Sequence, residues 1–432
     1  MSAEPQVLTH PQPTVLIVAA KWWPLSARLA MALIRSGCRV GAVCPPGHPL
    51  QFVSGMDLIR RYGGLRSLAS LRRIIVEWRP DILVPGDDGV VAQLHQLHRQ
   101  EPTLRGLIER SLGSPDGYAI VASRFELLKT AQNLGIRVPR THRIDGAQDL
   151  VSWHEDHRGF SVLKVDGESG GNGVRISSSL EESLWWWREL SRRPTAARAW
   201  KRLAINRDPL ATWMRSNHPQ RGFTIQEFIA GRPANSMLVS RQGAVLSQVS
   251  VLVCRSDGPT GAATIIRHVS DRRMTQAGEL LAAKLHLSGF CGLDFMIEAD
   301  TGTPYLIELN PRCTQLGHLD FPARGSLAAA FSADLKGESN PPLAPPIGDG
   351  PIALFPQAFR KDIARSPLLD SSYHDVPWDE PEFIRELLRD PGPIRRWASR
   401  LYHLVRPVTR QVPAEFEDAH SSFGAVKHCA VS

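Results

Sequence analysis

What the 432-residue chain lacks narrows its class before any motif is read. Its cysteines, Cys38, Cys44, Cys254, Cys291, Cys313 and Cys429, are scattered, with no C-x-x-C pair and no histidine cluster at metal spacing. That argues against a zinc site and against a disulfide framework. Cys313 lies close to a motif described below and reads as a buried or spectator thiol. No apolar run reaches the roughly 18–20 residues that a membrane-spanning helix needs. The opening segment, MSAEPQVLTHPQPTVLIVAA, has no basic n-region, so its apolar part reads as a first strand rather than a signal peptide. The expected location is the cytoplasm. The turn after that strand, AAKWWPLSA, has no G-x-G-x-x-G, which argues against a dinucleotide site there. A G-x-x-x-x-G-K-[ST] loop and internal repeats are missing as well.

Charge decides less. Lys and Arg number 51 against 43 Asp and Glu, a net charge of +8, with arginine spread along the whole chain. Such an excess suits nucleic acid, an anionic membrane surface or a polyphosphate ligand equally. With 42% hydrophobic and 22% charged residues the chain has an ordinary globular composition, and its length supports two or three cores.

The first 115 residues or so alternate apolar strand-like runs (TVLIVAA, RVGAVC, DILVP) with helical stretches, the order of an open α/β layer. A helix is expected near Ser123–Leu134, then a strand at FSVLKV (160–165), a glycine-rich loop, and a helical region holding Trp185, Trp186 and Trp187. Residues 188–221 are basic and broken by prolines, and read as an insertion. Strands resume at FTIQEFI, SMLVS, AVLSQVSVLVC and ATIIRHVS, followed by a helix near 275–286 and the strand pair GLDFMIE and YLIELN. The Pro- and Gly-rich SNPPLAPPIGDGP (339–351) marks a boundary. Beyond it lies an extension with a basic helical stretch near 381–405. The Arg and Trp mixtures in the insertion and the extension read first as basic helices packed on the main body, and leave open a peripheral membrane contact. No nucleic acid is expected as a partner.

Three constellations carry chemistry. Lys164 ends an apolar strand and is followed by DGESGGNGV, with Gly167, Gly170, Gly171 and Gly173. Glycines let backbone N–H groups turn toward an anion while lysine adds a mobile charge, so the segment suits phosphate; a plain hairpin turn fits it as well. The second is Asp294, Glu308, Asn310 and Arg312. Period-2 alternation puts Asp294 opposite Leu293, Phe295 and Ile297, and puts Glu308 and Asn310 opposite Tyr305, Ile307 and Leu309. A hairpin turning symmetrically about Thr301 places Asp294 across from Glu308, where like charges repel unless a cation lies between them. Two carboxylates and an amide are hard oxygen donors of the kind that hold Mg²⁺ beside phosphates; a solvated hairpin face is the plainer alternative. The third is QEFIAG (226–231), a strand end that can offer its backbone, and Glu227, to the edge of an adenine.

In order and spacing these pieces resemble the ATP-grasp superfamily, which includes biotin carboxylase, carbamoyl phosphate synthetase and many carboxylate–amine ligases. The resemblance spans about residues 14–325 and is strongest at GFCGLDFMIEADTGTPYLIELNPR (289–312). It implies an α/β (α+β) fold in three parts. A pre-ATP-grasp α/β domain covers 1–120, an ATP-grasp domain of two subdomains clamping ATP covers 121–338, and a C-terminal extension covers 339–432. It implies Mg²⁺ (or Mn²⁺) on Asp294, Glu308 and Asn310. Lys164 then contacts the ATP phosphates beneath a lid holding Gly170, Gly171 and Gly173, and Glu227, Phe228 and Ile229 frame the adenine. Arg312 binds the substrate carboxylate or the acyl phosphate. Ser123 and Arg124 stand where the family has an acidic residue and a lysine, so Arg124 is the expected phosphate neutraliser. Pro233 replaces a ribose-binding glutamate, with Asn235 as the expected substitute. His318 is a further candidate for a substrate contact. The implied activity is ligation: a carboxylate activated by ATP as an acyl phosphate, with ADP and phosphate released, and joined to an amine or another nucleophile. Carboxylase or carbamoyl-phosphate chemistry, or a nucleotide sensor without catalysis, are the alternatives. A homodimer is a further expectation from the resemblance.

Overall fold

The computed structural model describes residues 12–63, 66–167, 173–192, 208, 210, 213, 222–258, 261–321, 325–338, 350–359 and 367–389. The amino-terminal layer runs β1 (Thr14–Val18), α1 (Pro24–Arg35), β2 (Arg39–Cys44), β3 (Leu58–Arg61), α2 (Ser67–Trp78), β4 (Ile82–Pro85), α3 (Asp88–Gln100) and α4 (Arg105–Leu112). Its four strands are parallel in the order β3-β2-β1-β4. Residues Val15–Ala20 are fully buried, as expected for a central parallel strand covered on both faces. Strand β3 was not legible as a strand. Leu-Ile-Arg-Arg at an exposed edge has neither an apolar run nor an alternation to mark it.

Two short helices, α5 (Tyr118–Ala122) and α6 (Arg124–Asn133), lead out of this layer. A small antiparallel sheet then gathers β5 (Thr141–Arg143), β6 (Ser161–Val165), β7 (Val174–Ser177) and β8 (Phe223–Glu227) in the order β5-β8-β6-β7. Helices α7 (Ala147–Asp156) and α8 (Leu180–Ser191) cover one of its faces, where Trp153, Leu163, Val165 and Ile225 form a core. Trp186 and Trp187 pack at the rim of that core. Most of the 188–221 insertion lies outside the described residues.

The large sheet holds β9 (Gly231–Arg241), β10 (Ala244–Ser256), β11 (Ala263–His268), β12 (Gly289–Glu298), β13 (Pro304–Asn310), β16 (Ile352–Leu354) and β17 (Tyr373–Asp375). Between β13 and β16 in the chain sit the two short paired strands β14 (Asp320–Phe321) and β15 (Gly325–Ser326). The order across the large sheet is β13-β12-β9-β10-β11-β16-β17. One face packs on the helix Arg272–Leu285 and on α6, through Leu238, Leu281, Leu293, Phe295 and Leu309. The other face shares a core with α1 and the helix Leu327–Lys336: Met237, Val239 and Phe290 join Ala27, Leu29 and Leu33 of the first and Phe331 of the second. The amino-terminal layer and the large sheet therefore bury one apolar interface together.

The expected boundary at residue 339 cuts through this sheet. Residues described beyond it are built into the body: β16 pairs antiparallel with β11, and β17 pairs parallel with β16. The helix Pro381–Leu388 puts Phe383, fully buried, into the core shared with α1. The Glu380 carboxylate accepts from the Ser54 amide at 3.1 Å and the Ser54 hydroxyl at 2.6 Å. Asp375 pairs with Arg28 of α1, both about 5% exposed. The basic stretch expected near 381–405 is described only to residue 389, as this amphipathic helix and its end. Short strands that complete a sheet from far along the chain carry little local signal, so they read as an appendage. Phe383→Ala should lower the unfolding free energy by about 3–5 kcal/mol, as for other buried aromatics. Urea unfolding of the full-length protein measures it, and a change under about 1 kcal/mol would mean the helix is an appendage after all.

Candidate active site at the seam of the two sheets

On β6 the alternation that sends Leu163 and Val165 into the core aims Lys164 at the other face. Lys164 pairs with Thr224 of β8, and Val162 with Gln226, so Lys164, Thr224 and Gln226 share that face. They are only 6%, 1% and 1% exposed. The Thr224 hydroxyl and the Gln226 Nε2 have no hydrogen-bond partner among the described residues, a cost that a polar ligand on this face would remove. Burial lowers the Lys164 pKa to about 8; the Arg124 charge adds to this, and Glu308 and Asp294 oppose it. Gly167, with φ of +75°, begins the turn after β6, a conformation that suits glycine. Gly170 and Gly171 lie outside the described residues. The Gly173 carbonyl accepts from the Val165 amide at 3.0 Å and closes the start of the β6–β7 hairpin.

On the large sheet, Asp294 stands directly opposite Glu308, as the hairpin pattern predicts. The alternation expected along YLIELN holds only in part. Asp294 pairs with Glu308 but Phe295 pairs with Leu306, so Ile307 is an extra residue, a β-bulge. The bulge puts Leu306 and Leu309 together in the core, while Glu308 and Asn310 stay on the face of Asp294. On β9, Asn235 is the neighbour of Asp294 on the other side. Its Nδ2 donates to Asp294 Oδ1 at 2.6 Å, and Asn310 Nδ2 donates to Asp294 Oδ2 at 3.0 Å. Burial first, and the Glu308 charge second, raise the Asp294 pKa to about 6, against the lowering effect of both amides and of Arg312. Gly292, one alternation before Asp294, has to lack a side chain: a Cβ there would lie 2.4 Å from Thr314 Cγ2.

Two arginines reach this face. Arg124 opens α6 from a capping Ser123 and is 8% exposed. Its Nη2 donates to Glu308 Oε1 at 2.9 Å and its Nη1 to Asp166 Oδ1 at 3.3 Å, so one guanidinium bridges the small and large sheets. Arg312 leaves the end of β13 and donates through Nε to Asp88 Oδ1 at 2.7 Å and through Nη2 to Asp88 Oδ2 at 3.2 Å. Nη2 also donates to Asn310 Oδ1 at 3.0 Å. Burial pushes the Asp88 carboxyl up, but the Arg312 guanidinium outweighs it and leaves the group below its ordinary value. Asp88 and Asp166 were not among the expected site residues. The run Gly-Asp-Asp-Gly after β4 does signal a helix start, yet nothing local says that it meets a residue 224 positions away.

Other expected residues already have partners within the protein. Glu227 Oε1 accepts from the Arg140 amide at 2.8 Å. The Phe228 amide donates to the Phe160 carbonyl at 3.1 Å, and the two rings meet edge to face. Ile229 follows in the link to β9 with no regular structure of its own. Asn235 orients Asp294. His318 is 5% exposed, with its Nε2 2.8 Å from Asp375 Oδ2 in the buried group with Arg28, so it ties β17 to the core and is not placed for a substrate contact.

The Lys164 environment has a measurable consequence. Between pH about 8 and the ordinary lysine value of 10.5 the unfolded chain holds this proton and the folded chain does not, so stability rises with pH across that window. The melting temperature of the native protein minus that of Lys164→Met should climb from about pH 8 to about pH 10 without ligand. A difference that stays flat would show that the ammonium is solvated.

Residues 206–315 match the model of the ATP-grasp domain, a span that holds β8 through β13 and the Asp294–Glu308 pair. A search of curated proteins returns no match to the sequence. Among solved structures, N5-carboxyaminoimidazole ribonucleotide synthetase from Thermus thermophilus aligns with a TM-score of 0.54 at 17% identity, covering 78% of this chain and 81% of that one. Biotin carboxylase from Campylobacter jejuni aligns at 0.53 with 13% identity, over 76% of this chain and 72% of that one. The L-amino acid ligase from Bacillus licheniformis aligns at 0.52 with 15% identity, over 77% and 76%. Identities this low carry the fold and leave the reaction to be argued from the site. Residues 206–315 thus match an ATP-grasp domain, and the chain shares the fold of these solved structures.

Proposed function

We propose that the protein is an ATP-dependent ligase that activates a carboxylate as an acyl phosphate, releases ADP and phosphate, and joins the acyl group to an amine or another nucleophile. The observation that carries this reading is the Asp294–Glu308 pair, facing the seam with Asn310 beside it and with Lys164, Arg124 and Arg312 around it. Two acids in direct register in a partly buried site repel, and the Asp294 pKa is raised by burial first and by that repulsion second. Among the described residues no group of three or more His, Cys, Asp or Glu gathers, which argues against a closed all-protein metal cage. Two carboxylates and an amide oxygen fit Mg²⁺ or Mn²⁺, which take few protein ligands and complete their shell with phosphate and water. Asp294, Glu308 and Asn310 would hold the ion, whose contribution is to neutralise charge on the phosphates.

The chain's own groups do the rest. Lys164, with Thr224 and Gln226 at the same face, binds the phosphate side of the nucleotide. Arg124, already bridging Asp166 and Glu308, adds a second cation there and keeps the two sheets at one spacing. The backbone at Glu227, Phe228 and Ile229 borders the base. Arg312, just beyond β13, faces the reacting carboxylate and stabilises charge on the transferring group. The buried seam keeps water from the acyl phosphate until the nucleophile arrives. The amino-terminal layer supplies the wall opposite the nucleotide, and no helix among the described residues is long and apolar enough to cross a membrane.

The solved relatives carry names of both carboxylating and peptide-forming enzymes, so the test includes bicarbonate among the carboxylates. With Mg-ATP and pooled amino acids, small carboxylates and bicarbonate, ADP and phosphate should appear only with a pool that contains the substrate. Glu308→Gln should cut that release by about 100- to 1,000-fold or more with an unchanged circular dichroism spectrum. Undiminished turnover would remove Glu308 from the site. Arg312→Ala should reduce kcat more than it reduces nucleotide affinity; equal losses in both would contradict its place on the carboxylate side.

A further inference from the structure

Arg312 has an unusual set of partners for a residue that faces substrate. Its Nε and Nη2 are held by the two oxygens of Asp88 as a fork, and Nη2 also reaches Asn310 Oδ1. Among the described residues the remaining nitrogen, Nη1, has only a 3.5 Å approach to the Cys313 carbonyl. A planar guanidinium gripped along one edge can present its other edge in one direction only. The pair is enclosed, with side chains 14% and 26% exposed, so water does little to loosen it.

Asp88 itself is fixed from behind. It is the first residue of α3, and the preceding Asp87 caps that helix by accepting from the Val90 amide at 3.1 Å. The other Asp87 oxygen accepts from the amides of Ala20 at 2.6 Å and Lys21 at 3.1 Å, at the carboxyl end of β1. The Lys21 carbonyl is bonded in turn by His48 Nε2 at 3.0 Å. A chain of short bonds thus runs from the end of the central parallel strand, through the start of α3, to the guanidinium beside a candidate metal ligand. Ligands of open α/β sheets meet this end of the strands.

We propose that Asp88 is a positioning residue for the ligation step, holding the Arg312 guanidinium so that its Nη1 edge faces the reacting carboxylate. The amino-terminal layer then supplies part of the reaction geometry through a side chain that touches no substrate. This rests on the ligase reading above.

Asp88→Asn keeps the size of the side chain and one acceptor oxygen but loses the charge and the second acceptor. In the full-length protein it should lower kcat by about 10- to 100-fold, the loss a small misplacement of a catalytic group brings. The KM for ATP and the Mn²⁺·ADP affinity read by electron paramagnetic resonance should stay within about twofold. Asp88→Glu, which restores the fork, should recover part of kcat, and both variants should keep the native circular dichroism spectrum. Nitrogen-15 spectra give a reading that needs no turnover. The Arg312 Nε–H resonance, identified by its absence in Arg312→Lys, should be sharp in the native protein and broadened or lost in Asp88→Asn.

A kcat within about twofold of native in Asp88→Asn, a parallel loss of nucleotide affinity, or an unchanged Arg312 Nε–H resonance would each overturn the positioning role. Absence of turnover in the native protein would instead overturn the ligase reading, and the nitrogen-15 comparison would still decide whether Asp88 holds Arg312.

Discussion

Two carboxylates that the sheet register forces together set the terms for everything around them. Asp294 and Glu308 are directly opposed on adjacent strands, on a face that water reaches poorly. Burial and the Glu308 charge both favour protonating Asp294, so it stays ionised only if donors and cations surround it. The structure provides them from every neighbouring element. Asn235 and Asn310 give amide donors from the flanking strands, Arg124 comes from the start of α6, and Lys164 comes from the small sheet. Each of these pays its own desolvation, as the low Lys164 pKa shows. A buried network of this kind is a poor source of stability and a good source of specificity, because few arrangements satisfy all its members.

The same constraint explains why parts of the chain far apart in sequence must be held rigidly. Arg124 joins Asp166 to Glu308, so the two sheets meet through one guanidinium. Arg312 joins Asp88 to Asn310, so the amino-terminal layer meets the large sheet through another. Behind these polar links an apolar core is shared by α1, the large sheet and the helix Pro381–Leu388. The buried group of Arg28, Asp375 and His318 closes that core beside β17. Burial lowers the His318 pKa, and Asp375 is held below its ordinary value because His318 and Arg28 outweigh its own desolvation. The residues beyond 350 therefore help to fix the relation between the amino-terminal layer and the large sheet, the surfaces between which Arg312 sits.

The sequence by itself determined the elements whose signal is local. Apolar runs marked β1, β2 and β4, and the period of two along GLDFMIE placed Asp294 on the polar face; a symmetric turn anticipated its place across from Glu308, which the chain reaches through the bulge at Ile307. Lysine at the end of a buried strand before a glycine loop was legible for the same reason. Tertiary structure alone decided what depends on distance along the chain. The bulge at Ile307 follows from core packing of Leu306 and Leu309, and no alternation rule anticipates it. Glu227, Asn235 and His318 are polar residues whose partners lie 87, 59 and 57 positions away, so their type was visible and their use was not. Asp88 is the clearest case: locally it is one more acid at a helix start, and only the packing of α3 against the end of β13 gives it an arginine to hold. Backbone propensity and periodicity act over a few residues, whereas side-chain pairing in a buried site is fixed by the fold as a whole.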